Sequence, residues 1–152
     1  RGHDWFRGNT KWIAIIIVVA LVSTLTLHYR QRSTEENDRR LLADASKLEK
    51  LDEKVAFVRR NPQASSAVPL YLSAAREYLE GGKAEEALGL ADDFIKHYPE
   101  HLLQGLAHLL KGYAHEELSQ PKQAVEAYKK VLELEPLYAT LAEEGLSRLK
   151  DR

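Results

Sequence analysis

The chain has 152 residues, 44% hydrophobic and 30% charged, with 22 Lys+Arg against 23 Asp+Glu, which suits one ordinary domain plus an appended element. Without cysteine it can form no disulfide, thiolate zinc site or haem-attachment motif. Methionine is absent even at position 1, so the natural N-terminus is expected upstream of Arg1. Residues 1–32 hold five Lys/Arg against one acid, residues 33–60 seven of each, and residues 61–152 ten against fifteen. An acidic main domain offers phosphates no attraction, so nucleic acid is not an expected partner.

Residues 1–11 form a basic flank. Residues 12–29, WIAIIIVVALVSTLTLHY, contain no Asp, Glu, Lys or Arg. As a helix they would extend ~27 Å, close to the ~30 Å hydrocarbon core, and a single transmembrane helix is expected. Trp12, Ile15, Val19 and Tyr29 represent this anchor, with Trp12 and Tyr29 at the two interfaces and the lipid bilayer as the contact. The alternative is a cleaved signal peptide, since the strongest run, Ile13 to Val22, has h-region length; no convincing A-x-A cleavage site follows it. Arg1, Arg7 and Lys11 before the span and Arg30, Arg32, Arg39 and Arg40 after it leave its orientation open.

Residues 30–60 read as a basic juxtamembrane segment and an amphipathic connecting helix. Ser33 and Glu36 make a capping box, and Leu41, Ala45, Leu48, Leu51, Val55 and Val58 form one stripe expected to pack on the domain. Leu41, Leu48 and Val55 are also seven apart, but two heptads are too few to read a coiled coil.

Residues 61–152 carry an internal repeat. Pro62, Pro99 and Pro136 lie 37 residues apart, and the same step aligns Leu72 with Leu109 and Leu146, Ala75 with Gly112, and Ala87 with Ala124. Helices are predicted over 68–80, 84–97, 102–118, 121–134 and, from a Thr140–Glu143 capping box, to about 149. No strand-like alternation is present, so the expected fold class is all-α: one transmembrane helix, then a short solenoid of helical hairpins with capping helices.

Gly112, Ala124, Tyr128 and Pro136 in one copy, and Ala75, Tyr78, Ala87, Phe94 and Pro99 in the other, resemble the tetratricopeptide repeats. Small residues there let helices cross closely while aromatic rings fill wider gaps. The unit is three residues longer than that family's thirty-four, with the extra residues placed around His101 to Gln104. Leu149 replaces the small residue of Ala75 and Gly112, as expected if no second helix packs behind it. Together with Trp5, Phe6, Asn9 and Lys11 before the span, the arrangement also resembles the single-span tetratricopeptide proteins of the bacterial inner membrane that associate with the export translocon and a periplasmic chaperone. That resemblance implies a bacterial inner-membrane protein with its repeats on the extracytoplasmic side.

No phosphate loop, HExxH, nucleophile elbow or CxxC occurs, so no enzyme, cofactor or small-molecule substrate is expected. His101, His108 and His115 are spaced by seven, or ~10.5 Å of helix rise, too far apart to share a metal with ~2.0 Å bonds. They are read as packing residues. What remains is binding to protein partners, with a membrane protein complex or a chaperone as the expected partner. The family's concave groove implies a lining of Leu72, Arg76, Leu79, Leu106, Leu109, Leu110, Tyr113 and Glu116, suited to an apolar helix or extended peptide. The alternative is that some of these leucines pack against the capping helix. Two functions stay open: a membrane-tethered adaptor linked to protein translocation or chaperoning, and a structural accessory subunit that contacts a larger membrane complex mainly through its span.

Overall fold

The computed structural model describes residues 18–27, 36–134 and 136–150, and the chain divides into two compact units, Arg1–Arg40 and Leu41–Arg152. In the first unit, residues 18–27 are helical and expose Val18, Val19, Leu21, Val22, Leu25 and Leu27, each 56–68% accessible. Thr24 and Thr26 donate their hydroxyls back to the Ala20 and Val22 carbonyls at 3.0 and 2.8 Å. Among the described residues no helix is long and apolar enough to cross a membrane. Ten residues of the expected span are described, ~15 Å of helix, while Trp12, Ile15 and Tyr29 lie outside the described residues, as does Ser33 of the capping box.

Among its described residues the second unit contains helices and turns and no strand: α1 Leu51–Arg60, α2 Ala67–Glu80, α3 Ala84–His97, α4 Gln104–Glu117, α5 Pro121–Leu134, a 3₁₀ turn Pro136–Tyr138, and α6 Ala139–Lys150. Neighbours in sequence are neighbours in space, α2 with α3 and α4 with α5 making two hairpins, α1 and α6 closing the ends.

The prolines set the period. Helices α1 and α3 each stop two residues before Pro62 and Pro99, and the residues preceding those prolines take the same non-helical backbone: φ −129°, ψ 56° at Asn61 and φ −130°, ψ 55° at Tyr98. The proline ring disfavours helical geometry there. The hairpin turns repeat as well. Lys83 N donates to Tyr78 O and Gln120 N to His115 O, both at 2.8 Å, around left-handed residues Gly82 (φ 68°) and Ser119 (φ 56°). The loops before α2 and α4 each hold six residues, 61–66 and 98–103.

Two expectations are corrected. Residues 34–60 are not one helix: residues 36–45 are helical, residues 46–50 are a turn, and α1 begins at Leu51. Ser46 donates its hydroxyl to the Ala43 carbonyl, and Lys47 N and Leu48 N turn back on Asp44 and Ala45, which tightens and ends the turn without Gly or Pro. Thr140 is also not a cap, because α6 begins one residue earlier, straight out of the 3₁₀ turn. The start-to-start step from α4 to α6 is therefore 35 residues instead of the 37 from α2 to α4.

Two buried clusters form the core. In the first, Tyr71, Phe94 and Tyr98 meet edge-on or stacked at 5.2 to 6.3 Å between centroids, with Val58, Ala75 and Leu72 around them. In the second, Tyr128 is enclosed by Leu109, Ala124, Val131 and Ala142. Its ring lies between two glycines of different helices. A Cβ on Gly112 of α4 would stand 2.6 Å from Tyr128 Cδ1, and one on Gly145 of α6 2.5 Å from Cε2. Gly145, not Leu149, is thus the small residue of the last helix.

Candidate partner-binding groove

Helices α2, α4 and α6, the first helix of each hairpin and the closing helix, line a cavity of about 700 Å³. Its floor follows α4, where Leu106, Leu109, Leu110 and Tyr113 recur at i, i+3, i+4 and i+7 and so share one face. One wall comes from α2 with Arg76, Leu79 and Glu80, and another from α6 with Leu141 and Arg148. Glu116 and Glu117 complete the lining at the end of α4.

Seven of the eight residues expected in the groove are brought together here. Leu72 is the exception: it is buried in the first core cluster and does not reach the cavity. Leu109 is 2% exposed and belongs to the second cluster, so it shapes the floor more than it presents a surface. Four lining residues, Glu80, Glu117, Leu141 and Arg148, escaped the sequence reading. Glu80 and Glu117 were detectable, since both end first helices one repeat period apart. Leu141 and Arg148 depend on the register of α6, which the 37-residue step misplaces.

Polar contacts fix the α6 wall. Glu116 accepts a hydrogen bond from the Tyr128 hydroxyl and, at 2.8 Å, one from Arg148 Nη2. The Glu116 side chain is only 11% exposed, so its charge needs those partners. Arg148 also lies over the Tyr113 ring at 5.9 Å, and Tyr113 meets Tyr128 edge-on at the same distance. Burial, followed by the Glu116 hydrogen bond, pushes the Tyr128 phenol well above the ordinary range, so it remains a donor at physiological pH. Burial also raises the Tyr113 phenol, with Arg148 acting against the rise. At the opposite wall Arg76 Nε bonds Glu80 at 2.8 Å in the open, which adds little.

The histidines do not form a site. His115 is buried and bonded through Nδ1 to Gln120 Oε1 at 2.7 Å, and His101 Nδ1 accepts from Leu103 N at 3.1 Å. Burial, then Lys111, lowers the pKa of half-buried His108. Among the described residues no three His, Asp or Glu side chains gather as a metal site.

The hairpin that supplies the groove floor decides the comparison with known proteins. Residues 106–137 match the tetratricopeptide repeat. The matched residues cover most of α4, all of α5 and the closing Pro136, the copy that holds Gly112, Ala124 and Tyr128. The repeat supports a role in protein–protein interaction. No curated protein and no solved structure matches the chain.

Proposed function

We propose that the protein is a membrane-tethered adaptor whose groove holds a protein partner close to the bilayer. The groove carries this reading: an apolar stripe on one helix, two flanking walls and charged ends, in a volume typical of a binding cleft. The sequence carries no nucleophile elbow, HExxH or phosphate loop, which favours recognition over catalysis as the role. The tether rests on the charge-free run of residues 12–29 together with the apolar exterior of the helix over 18–27. Its threonines bond their own helix carbonyls, which satisfies their hydroxyls without water. Tethering raises the local concentration of a partner already at the membrane, so a modest groove suffices. The resemblance noted above favours the bacterial inner membrane, an extracytoplasmic repeat domain and a link to protein export.

The same exposed apolar helix also favours a second reading, a structural accessory subunit held in a larger membrane complex mainly through its span. A single charge in the groove separates the two. Leu141 is 41% exposed and lines the groove, while Leu134 is 43% exposed and does not. Leu141→Asp should reduce partner co-purification at least about tenfold, as loss of an apolar anchor does, while Leu134→Asp leaves it intact. Retention of the partner by Leu141→Asp would favour the accessory subunit.

A further inference from the structure

The groove is not electrically symmetric. Glu80 is the last residue of α2 and Glu117 the last of α4, one repeat period of 37 residues apart, and both line the cavity. Each therefore sits at the negative end of its helix macrodipole, where a cation is the stabilising choice. Among the described residues Glu80 pairs with the exposed Arg76, a weak pair. Glu117 is exposed and has no ion pair among the described residues. The other groove cation, Arg148, is held by Glu116. Beyond Glu117 the surface continues into a depression of about 330 Å³ lined by Glu85, Glu86 and Lys83, and the Lys83 ammonium lies 5.8 Å from the Tyr78 ring centroid. The first turn of α3 offsets part of the charge of Glu85 and Glu86, but none of the charge of Glu80 or Glu117. One end of an apolar groove is thus a mouth with unbalanced negative charge, placed where it costs the helices stability.

The spacing of the floor selects the shape of the occupant. Apolar residues on α4 repeat about every 5.4 Å, in step with the side-chain ridge of another helix, whereas same-side residues of an extended chain come about every 6.8 Å. From Leu106 to Glu117 the stripe runs about 16 Å, roughly three helical turns, along an open groove. The groove accepts one face of a helix and leaves the other in water.

We propose that the groove takes a cationic amphipathic helix, its leucine-like face on the α4 stripe and a Lys or Arg at one end paired with Glu80 and Glu117. This rests on the groove being the docking surface and names the chemistry it selects. The test uses the full chain in detergent micelles and fluorescence anisotropy with three labelled synthetic peptides. One has leucines at i, i+3, i+4 and i+7 with lysines at both ends, the second has glutamates in place of the lysines, and the third keeps the lysine peptide's composition with its leucines scrambled. The lysine peptide should bind about 10-fold more tightly than the glutamate peptide at low salt, with the gap closing at high salt. The scrambled peptide should bind weakly. The Glu80→Gln, Glu117→Gln double variant, at an unchanged melting temperature, should lose most of the lysine preference. A glutamate peptide that binds as well, a scrambled peptide that binds as well, or a double variant that keeps the preference overturns the cationic-helix proposal and leaves the groove reading standing. Binding of none of the peptides overturns both.

Discussion

Tyr128 is the residue on which the closing half of the domain turns. Its ring fills the gap between α4 and α6 only because positions 112 and 145 lack a Cβ, and its hydroxyl reaches the carboxylate that also holds Arg148. Either glycine replaced by alanine drives a methyl group into a ring fully enclosed on all sides, so the ring or a helix must shift. Gly112→Ala and Gly145→Ala should each cost about 1–3 kcal/mol, read as a lowered denaturation midpoint. Gly89, within α3, supplies the contrast: a Cβ there meets nothing within 4 Å. Gly89→Ala should stabilise by roughly 0.5–1 kcal/mol through the higher helix propensity of alanine. Equal effects at the three positions would mean that propensity, not the ring, decides. Gly112 was readable as a close-packing position from its repeat alignment with Ala75. Gly145 was not, because the 37-residue step pairs it with His108 and gives it no small counterpart.

The elements are joined at seams closed by buried or partly buried phenols. The Tyr71 hydroxyl of α2 donates to Val58 O of α1 at 3.4 Å, and the Tyr98 hydroxyl donates to Ala64 O at 2.7 Å, linking consecutive loops. Burial pushes Tyr71 up to about 12 and raises Tyr98 and Tyr128 as well. A raised phenol keeps in the native state a proton that the unfolded chain loses near its ordinary pKa of about 10. Stability from these groups is therefore complete below about pH 10 and declines as pH climbs through the folded value. The urea midpoint should hold between about pH 8 and 9.5, fall above 10, and fall less in Tyr71→Phe; a midpoint unchanged to pH 11 would contradict the seam account. Most of the elements were legible before the structure. Prolines and glycines punctuate residues 61–134, so α3 and α5 match their predicted bounds and α2 and α4 differ only near their ends. The break at residues 46–50 was not legible, because a serine hydroxyl and two backbone bonds make it within an unbroken apolar stripe. Gln104 was missed for a similar reason. Buried at the start of α4, it donates to Ile95 O at 3.3 Å and Tyr98 O at 2.6 Å, satisfying carbonyls at the end of α3. A side-chain cap reaching back across a loop leaves no periodic trace.

At the scale of the molecule, the repeat region presents a groove and residues 12–29 carry no charged side chain, and the proposed function combines the two as tether and grip. The floor of the groove was visible in the leucine spacing of residues 106–113, which the family's geometry turned into a concave surface. The α6 wall was hidden, since Arg148 meets Glu116 across 32 residues and neither position carries a local signal of the other. Leu72 and Leu109 hold the same repeat position and are both buried, yet of the two it is Leu109 that borders the cavity. A repeat alignment identifies equivalent positions, and the cap at each end decides which of them remain open to a partner. The most direct measurement is photocrosslinking in native membranes from Tyr113 in the groove and, separately, from Val19 in the apolar helix. One dominant adduct from Tyr113, lost when Leu141 becomes aspartate, is the predicted result. A strong adduct from Val19 with none from Tyr113 would contradict it, placing the partner on the N-terminal helix and leaving the repeats as a scaffold.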